Sequence, residues 1–276
     1  MKTKSLFFEL FIHNPEYMPH ILQDPEYYGW DYVSSNIYSY KYWEPYITKI
    51  FLEIFECVPK DSVKFIDIGA HIGWYSLLAA TNKLNVYAFE PVSKNYDCFK
   101  QTILDQNLSD WITLYKLGLN NKPIEMDFQL LSNNTGACGR SLTCEPHYII
   151  GLERVKLTTL DIALDGNTTP LIVKIDAEEM ELEVLQGAKN QVKYIDFLMI
   201  EIADKNIDVV CKLLVDYGFK YCLLVSSDQK IKDEDKSDFW INKHSYLKNR
   251  DYYFDLASFK PIGSQVNLFC LKKLWL

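Results

Sequence analysis

The run Val63-Lys-Phe-Ile-Asp67-Ile-Gly69-Ala70-His71-Ile-Gly73 joins an apolar stretch to a helical one through two glycines four residues apart. A residue without a side chain lets the backbone turn tightly and lets a ligand approach it; a second one lets the following helix pack closely. Ala70 and His71 follow Gly69, so this is not the GxGxxG fingerprint that seats a pyrophosphate on a helix N-terminus. Asp67 stands two residues before the turn, where an acid repels phosphate and suits a cationic or hydroxyl-rich ligand. The next apolar run ends in Phe89-Glu90-Pro91, with Glu90 21 residues after Gly69. An acid at the tip of a second strand is placed to accept both hydroxyls of a ribose. The turn and its two acids imply a nucleoside ligand with no pyrophosphate at the turn, namely S-adenosylmethionine.

A second group of acids begins at Asp176, which closes the apolar run Leu171–Ile175; Glu178, Glu179, Glu181 and Glu183 follow within seven residues. Asp176 and Glu178 are the candidate catalytic residues. A carboxylate at a strand end can attract a sulfonium and orient an acceptor, or it can take a hydroxyl proton. An ordinary Asp, near pKa ~3.9, is a feeble base for an alcohol. Burial or a like-charged neighbour such as Glu178 would raise it. Glu181 and Glu183 read as the solvated start of a helix, favoured there by the helix dipole. His71, within the cofactor turn, is expected to pack on or hydrogen-bond the ligand region rather than act as a base. The five histidines show no HxxxH or HExxH spacing and the seven cysteines no CxxC, so no metal site is expected. No GxSxG nucleophile motif is present.

Such groups need a scaffold that brings strand ends together. From Val63 onward, short apolar runs alternate with amphipathic ones. Strands are expected at Val63–Ile68, Asn85–Glu90, Ile112–Leu117, Leu171–Asp176, Phe197–Glu201, Tyr221–Val225 and Val266–Leu271. Helices are expected from about Gly73 to Thr81, at Ser93–Gln106, from about Glu179 to Gly187 and at Ile207–Tyr217. This alternation predicts an α/β fold: a Rossmann-like, doubly wound, mostly parallel seven-stranded sheet covered on both faces. Residues 1–60 are rich in Tyr and Trp and show helical spacing at Ile47, Ile50, Phe51 and Ile54. They are expected to form an N-terminal helical extension or lid, with residues 61–276 as the main domain. Lys122–Thr159 carries weak strand patterns around the polar loop Ser132–Ser141. Residues 227–265 look like an insertion before the last strand.

DIGAHIGWYS followed by AFEP resembles the FkbM-type branch of S-adenosylmethionine-dependent methyltransferases. The loop Ser132–Leu142 is similar to that family's Asn/Gly/Ser loop, and Val155–Asp161 to its threonine–leucine–aspartate strand. Leu171–Ala188 resembles its second signature, KIDVEGxExxVLxGA, and Trp43-Glu44-Pro45 a common lead-in. The resemblance covers about residues 40–225 plus the last strand. It implies methyl transfer to a hydroxyl of a glycan, a glycolipid precursor or a small metabolite. The expected cofactor contacts are Asp67, Gly69, Ala70, His71, Gly73, Glu90, Pro91, Gly118 and Leu119. Glu179 departs from the family pattern, standing where a glycine is usual, and is expected to narrow the acceptor pocket or shift the turn. The alternative is a binding or regulatory module that keeps the fold and has lost transfer. A nicotinamide dehydrogenase is disfavoured by the missing GxGxxG.

With 276 residues, 48% hydrophobic and 24% charged, the chain is long enough to bury a core without staples. A formal charge of −8, with only three arginines (Arg140, Arg154, Arg250), argues against a nucleic-acid partner. No apolar stretch of about 18 residues suggests a membrane span. The run Ser5–Ile12 is short, is broken by Glu9 and has no small-residue cleavage site after it, so no signal peptide is expected. Unpaired thiols and a cytoplasmic location are the corresponding expectations.

Overall fold

The computed structural model describes residues 2–11, 31–131, 134–140, 149–226, 246–247, 249–259 and 265–274. An antiparallel hairpin, β1 (Lys2–Lys4) and β2 (Glu9–Phe11), precedes helices α1 (Tyr32–Tyr40) and α2 (Pro45–Cys57). Strands and helices then alternate: β3 (Lys64–Ile68), α3 (Trp74–Thr81), β4 (Asn85–Phe89), α4 (Ser93–Asp105) and β5 (Ile112–Tyr115). Next come β6 (Gly118–Leu119), β7 (Ile124–Leu131), β8 (Ile149–Thr158) and the short helix α5 (Leu160–Ala163). The chain continues through β9 (Leu171–Ile175), α6 (Glu181–Gln186), β10 (Ile195–Ala203), α7 (Ile207–Asp216), β11 (Tyr221–Val225), β12 (Phe254–Asp255) and β13 (Gln265–Leu271).

The main sheet runs β12-β11-β13-β10-β9-β3-β4-β5. Strands β10, β9, β3, β4 and β5 are parallel, and β13 lies antiparallel between β10 and β11. Seven strands carry the expected Rossmann-like order, and the two-residue β12 adds an eighth at one edge. The chain winds outward from β3 in one direction and from β9 in the other. The crevice for a ligand therefore falls at the carboxyl ends of these two neighbours.

Alternation along each strand sends side chains to two cores. Phe65, Ile172, Phe197, Met199 and Phe269 share one with α2 and α3. Ile66, Ile68, Val173, Ile175, Leu198 and Ile200 share the other with α6 and α7. Helix α2 begins with Pro45, whose fixed φ suits the first turn. Its buried Phe51 and Phe55 meet Phe65 edge-on, with ring centroids 5.4 Å apart. Each such ring contributes about 1.5–3 kcal/mol by leaving water. Residues 45–57 thus belong to the core of the sheet.

The weak strand patterns beyond Lys122 become β7 and β8, an antiparallel pair with β6 added alongside. Tyr27, Tyr28 and Trp30 of the aromatic run, Ser132 and Ser141–Leu142 of the polar loop, and most of the stretch 227–265 lie outside the described residues. Cys57, Cys98, Cys138, Cys211, Cys222 and Cys270 are free thiols, and Cys144 lies outside the described residues. Among the described residues, no helix is long and apolar enough to cross a membrane.

Candidate active site

A cavity of about 770 Å³ opens where β3, β4, β9 and β10 end. One half is built on the turn after β3. Gly69 and Gly73 have φ of +74° and +88°, conformations that side chains disfavour. A Cβ on Gly69 would stand 1.7 Å from the Asp176 carbonyl oxygen, and one on Gly73 would stand 2.2 Å from the Phe99 ring. The amides of Gly69 and Ala70 both donate to the Phe89 carbonyl, at 3.1 and 3.0 Å, which ties the turn to the end of β4.

Glu90 follows β4 and is buried against this turn. Its Oε2 accepts from the His71 amide at 2.8 Å and its Oε1 from the Val92 amide at 2.9 Å. Burial lifts its carboxyl to about 7, against the pull of those donors. The His71 ring is engaged by Thr135, with Nε2 2.9 Å from Oγ1. Thr135 Oγ1 itself donates to Asp31 Oδ1 at 2.7 Å, so His71 must present Nε2–H to it. Burial also lowers the His71 pKa, which favours the neutral ring.

Of the expected cofactor contacts, Gly69, Ala70, His71, Glu90, Pro91, Gly118 and Leu119 line the cavity together. Gly73 and Asp67 do not. Gly73 lies behind the wall as the N-cap of α3. Asp67 shares a face of β3 with Phe65, beneath α3, where its Oδ2 accepts from Ser76 Oγ at 2.6 Å. Asp67 is thus covered by α3 and lies outside the cavity wall, although its register partner Lys174 reaches it.

The other half gathers acids around one lysine. Lys174 sits directly opposite Asp67 in the β3–β9 register and on the same face. Its Nζ donates to the Gly69 carbonyl and to Asp176 Oδ2, both at 3.1 Å, and stands 3.8 Å from Asp67 Oδ1. Burial opposes the ammonium charge, but Asp176, Asp67 and Glu44 outweigh it and hold the pKa above the ordinary lysine value. Asp176, Glu178, Glu201 and Glu44 all face this cavity. Burial first, then neighbouring charge, pushes the Glu178 and Glu201 carboxyls well up. Glu44, buried and accepting from Tyr75 Oη at 2.6 Å, is lifted to about 7 by burial. Among the described residues, no group of three or more His, Cys, Asp or Glu side chains is arranged to hold a metal ion.

The turn after Asp176 holds two residues in the left-handed region, Glu178 at φ 49° and Glu179 at φ 68°. Glu179 thus keeps a backbone conformation that suits glycine, without being one. Its carboxylate pairs with Lys205 and is absent from the cavity wall, so it does not narrow the pocket. Glu181 is not solvated as expected. It is 2% exposed, and its Oε1 accepts from the amides of Ala177 and Glu179 at 3.2 and 3.1 Å, which holds the turn in place of a glycine. Glu183 pairs with Arg140 at 2.7 Å.

Reading the sequence missed Lys174, Glu44 and Glu201. The one local sign was a lone cation in the otherwise apolar run Leu171–Ile175; the two glutamates become visible only once strand order and the packing of α2 are known.

A doubly wound sheet whose last strand is reversed, with a glycine turn and a buried acid at its switch point, defines a Rossmann-like nucleoside-binding protein of the methyltransferase class. The family described as Methyltransferase FkbM domain matches residues 67–221, more than half of the chain, and the chain belongs to it. It is similar to the hexuronic acid methyltransferase AglP of Haloferax volcanii, at 27% identity over 141 residues. That match spans 49% of this chain and 54% of AglP. Among solved structures, a SAM dependent methyltransferase from Aquifex aeolicus matches at TM-score 0.42 and 14% identity, over 93% of this chain and 98% of that one. The N-terminal domain of human METTL16 in complex with SAH matches at TM-score 0.41 and 14% identity, over 81% and 67%.

Proposed function

We propose that this protein is an S-adenosylmethionine-dependent O-methyltransferase acting on a hydroxyl of a glycan, a glycolipid precursor or a small metabolite. The observation that carries the reading is the joining of two sites by one contact: the glycine turn packs directly on the carbonyl of Asp176. Glu90 is placed to accept the ribose hydroxyls, and the backbone of Gly69–His71 to line the nucleoside. The cofactor, when bound, supplies a methyl group already activated on a sulfonium. The protein's share is then positioning and the removal of one proton. Asp176, held by Lys174, orients the acceptor side, and the buried carboxyls around it offer sites for that proton. AglP is named for a hexuronic acid, which favours a sugar-like acceptor here. The reading as an inactive module leaned on Glu179 blocking the pocket, and its carboxylate lies on Lys205.

The test is incubation with methyl-labelled S-adenosylmethionine and a panel of glycans, sugar glycosides and small alcohols. Label is expected in at least one hydroxyl compound. Donor binding with no transfer to any acceptor would return the module reading.

A further inference from the structure

Four carboxyls face the acceptor half of the cavity, and their surroundings separate their roles. Asp176 is bound by the Lys174 ammonium at 3.1 Å, so one of its oxygens is already engaged by a buried cation. Glu44 is pinned by the Tyr75 hydroxyl at 2.6 Å, at the start of α2. Glu178 sits in a left-handed turn between Asp176 and Glu181. Glu201 differs from all three. It lies on β10, a central strand, with Asn267 of β13 as its register partner and Ile200↔Ile175 pairing just before it. Asp176, Glu201, Asn267 and Val225 therefore form a row across four strand ends, one row above Asp67 and Lys174. All four line the cavity. Among the described residues no donor hydrogen-bonds the Glu201 carboxyl. A group on a strand is also held more firmly than one in a turn.

We infer that Glu201 is the proton acceptor for the methylated hydroxyl, with Asn267 beside it to position the acceptor and Asp176 kept as the counter-charge of Lys174. This rests on the reading as a methyltransferase. The acceptor oxygen forms a bond to the methyl carbon and its proton passes to a Glu201 carboxylate oxygen. The carbon–sulfur bond breaks with its electron pair left on sulfur, and the proton then leaves to solvent with the products. The charges facing Glu201 are those of Asp176, Glu44 and Glu178, which oppose its ionisation, and Lys174, which favours it. Burial and these neighbouring acids raise its affinity for a proton, which suits a carboxylate that must take one from a hydroxyl.

The test compares wild type with Glu201→Gln, Glu201→Asp and Glu178→Gln, using an acceptor found in the labelled panel. Glu201→Gln is expected to slow turnover by about 10²–10⁴-fold, the usual share of a general base, with donor affinity at the wild-type level by calorimetry. Glu201→Asp should recover part of the rate. The acidic limb of the wild-type kcat/KM profile should vanish in Glu201→Gln. A second readout needs no turnover: in protein with carbon-13-labelled Glu side chains and no donor, a carboxyl titrating far above the ordinary Glu range should disappear in Glu201→Gln. Wild-type turnover in Glu201→Gln, or loss of the acidic limb only in Glu178→Gln, would overturn the assignment and leave the methyltransferase reading standing. Failure of the wild type to methylate any acceptor would overturn both.

Discussion

The two halves of the cavity partner their buried carboxyls differently. In the donor half, each oxygen of Glu90 accepts from a backbone amide, and the Thr135 hydroxyl and amide both donate to Asp31. In the acceptor half, Asp176, Glu44, Glu178 and Glu201 crowd the Lys174 ammonium from the cavity and Asp67 from beneath it, and Asp67 Oδ1 is buried without a hydrogen-bond partner. A satisfied network rigidifies its surroundings, whereas burial and crowding raise the proton affinity of Glu44, Glu178 and Glu201. The first arrangement suits a site that must hold a ligand in one pose. The second suits a site that must move a proton.

The largest effect is expected where the halves touch. Gly69→Val would force a side chain onto the Asp176 carbonyl in a disfavoured backbone region, so soluble native protein should be lost. A folded, donor-binding Gly69→Val protein would show that the two halves move independently. Next in size is Lys174→Met, which leaves Asp67 and Asp176 without their counter-charge. Breaking a buried pair from one side costs about 3–5 kcal/mol, measurable by urea unfolding. A small effect would mean that the acids there take up protons at little cost.

Glu90→Ala probes the donor half alone. It should weaken donor binding by about 1.5–3 kcal/mol, the worth of hydrogen bonds to a charged group, with turnover at saturating donor nearly kept. Calorimetry showing unchanged affinity in a folded mutant would remove Glu90 from the site. The smallest effect should come from Glu179→Gly. It relieves about 1–2 kcal/mol of left-handed backbone cost and gives up a partly exposed ion pair worth about 0.2–1 kcal/mol. A small net gain in stability by urea unfolding is expected, with the acceptor profile unchanged. A broadened profile would place the side chain back in the pocket.

The donor half was legible because its chemistry lies on contiguous residues. The spacing from Gly69 to Glu90 already implies two strand tips side by side. Asp176 was legible for the same reason, as the end of an apolar run. Asp67 was ambiguous because an acid two residues before a turn looks equally able to reach the ligand or the core; here Ser76 of α3 covers it, a contact that only the packing of α3 on β3 reveals. Lys174 looked like an interruption in a buried strand until its register partner was known. Glu44 comes from a helix more than a hundred residues away in sequence from Asp176, and Glu201 from a strand whose neighbour β13 arrives last. Side chains that meet only through sheet order leave no local pattern. Glu181 was misread because a run of acids at a helix start is usually solvated, and here the turn before it needed an acceptor.

The crowding around Lys174 also bears on how the protein tells donor from product. The proposed donor carries a fixed positive charge on sulfur, and its product carries none. Seating that charge beside carboxyls such as Glu44, whose burial lifts it to about 7, should lower their affinity for protons. Donor uptake should then expel protons into the buffer, and departure of the methyl group should draw them back. The free site binds more protons than the donor complex, so donor affinity should rise with pH while product affinity changes less. Calorimetric binding enthalpies should accordingly differ between buffers of unlike ionisation heat for the donor and agree for the product; equal donor enthalpies in all buffers would mean the sulfonium sits away from these acids. Each turnover would then carry its own proton cycle, with the charge of the cofactor setting which molecule the site prefers to hold.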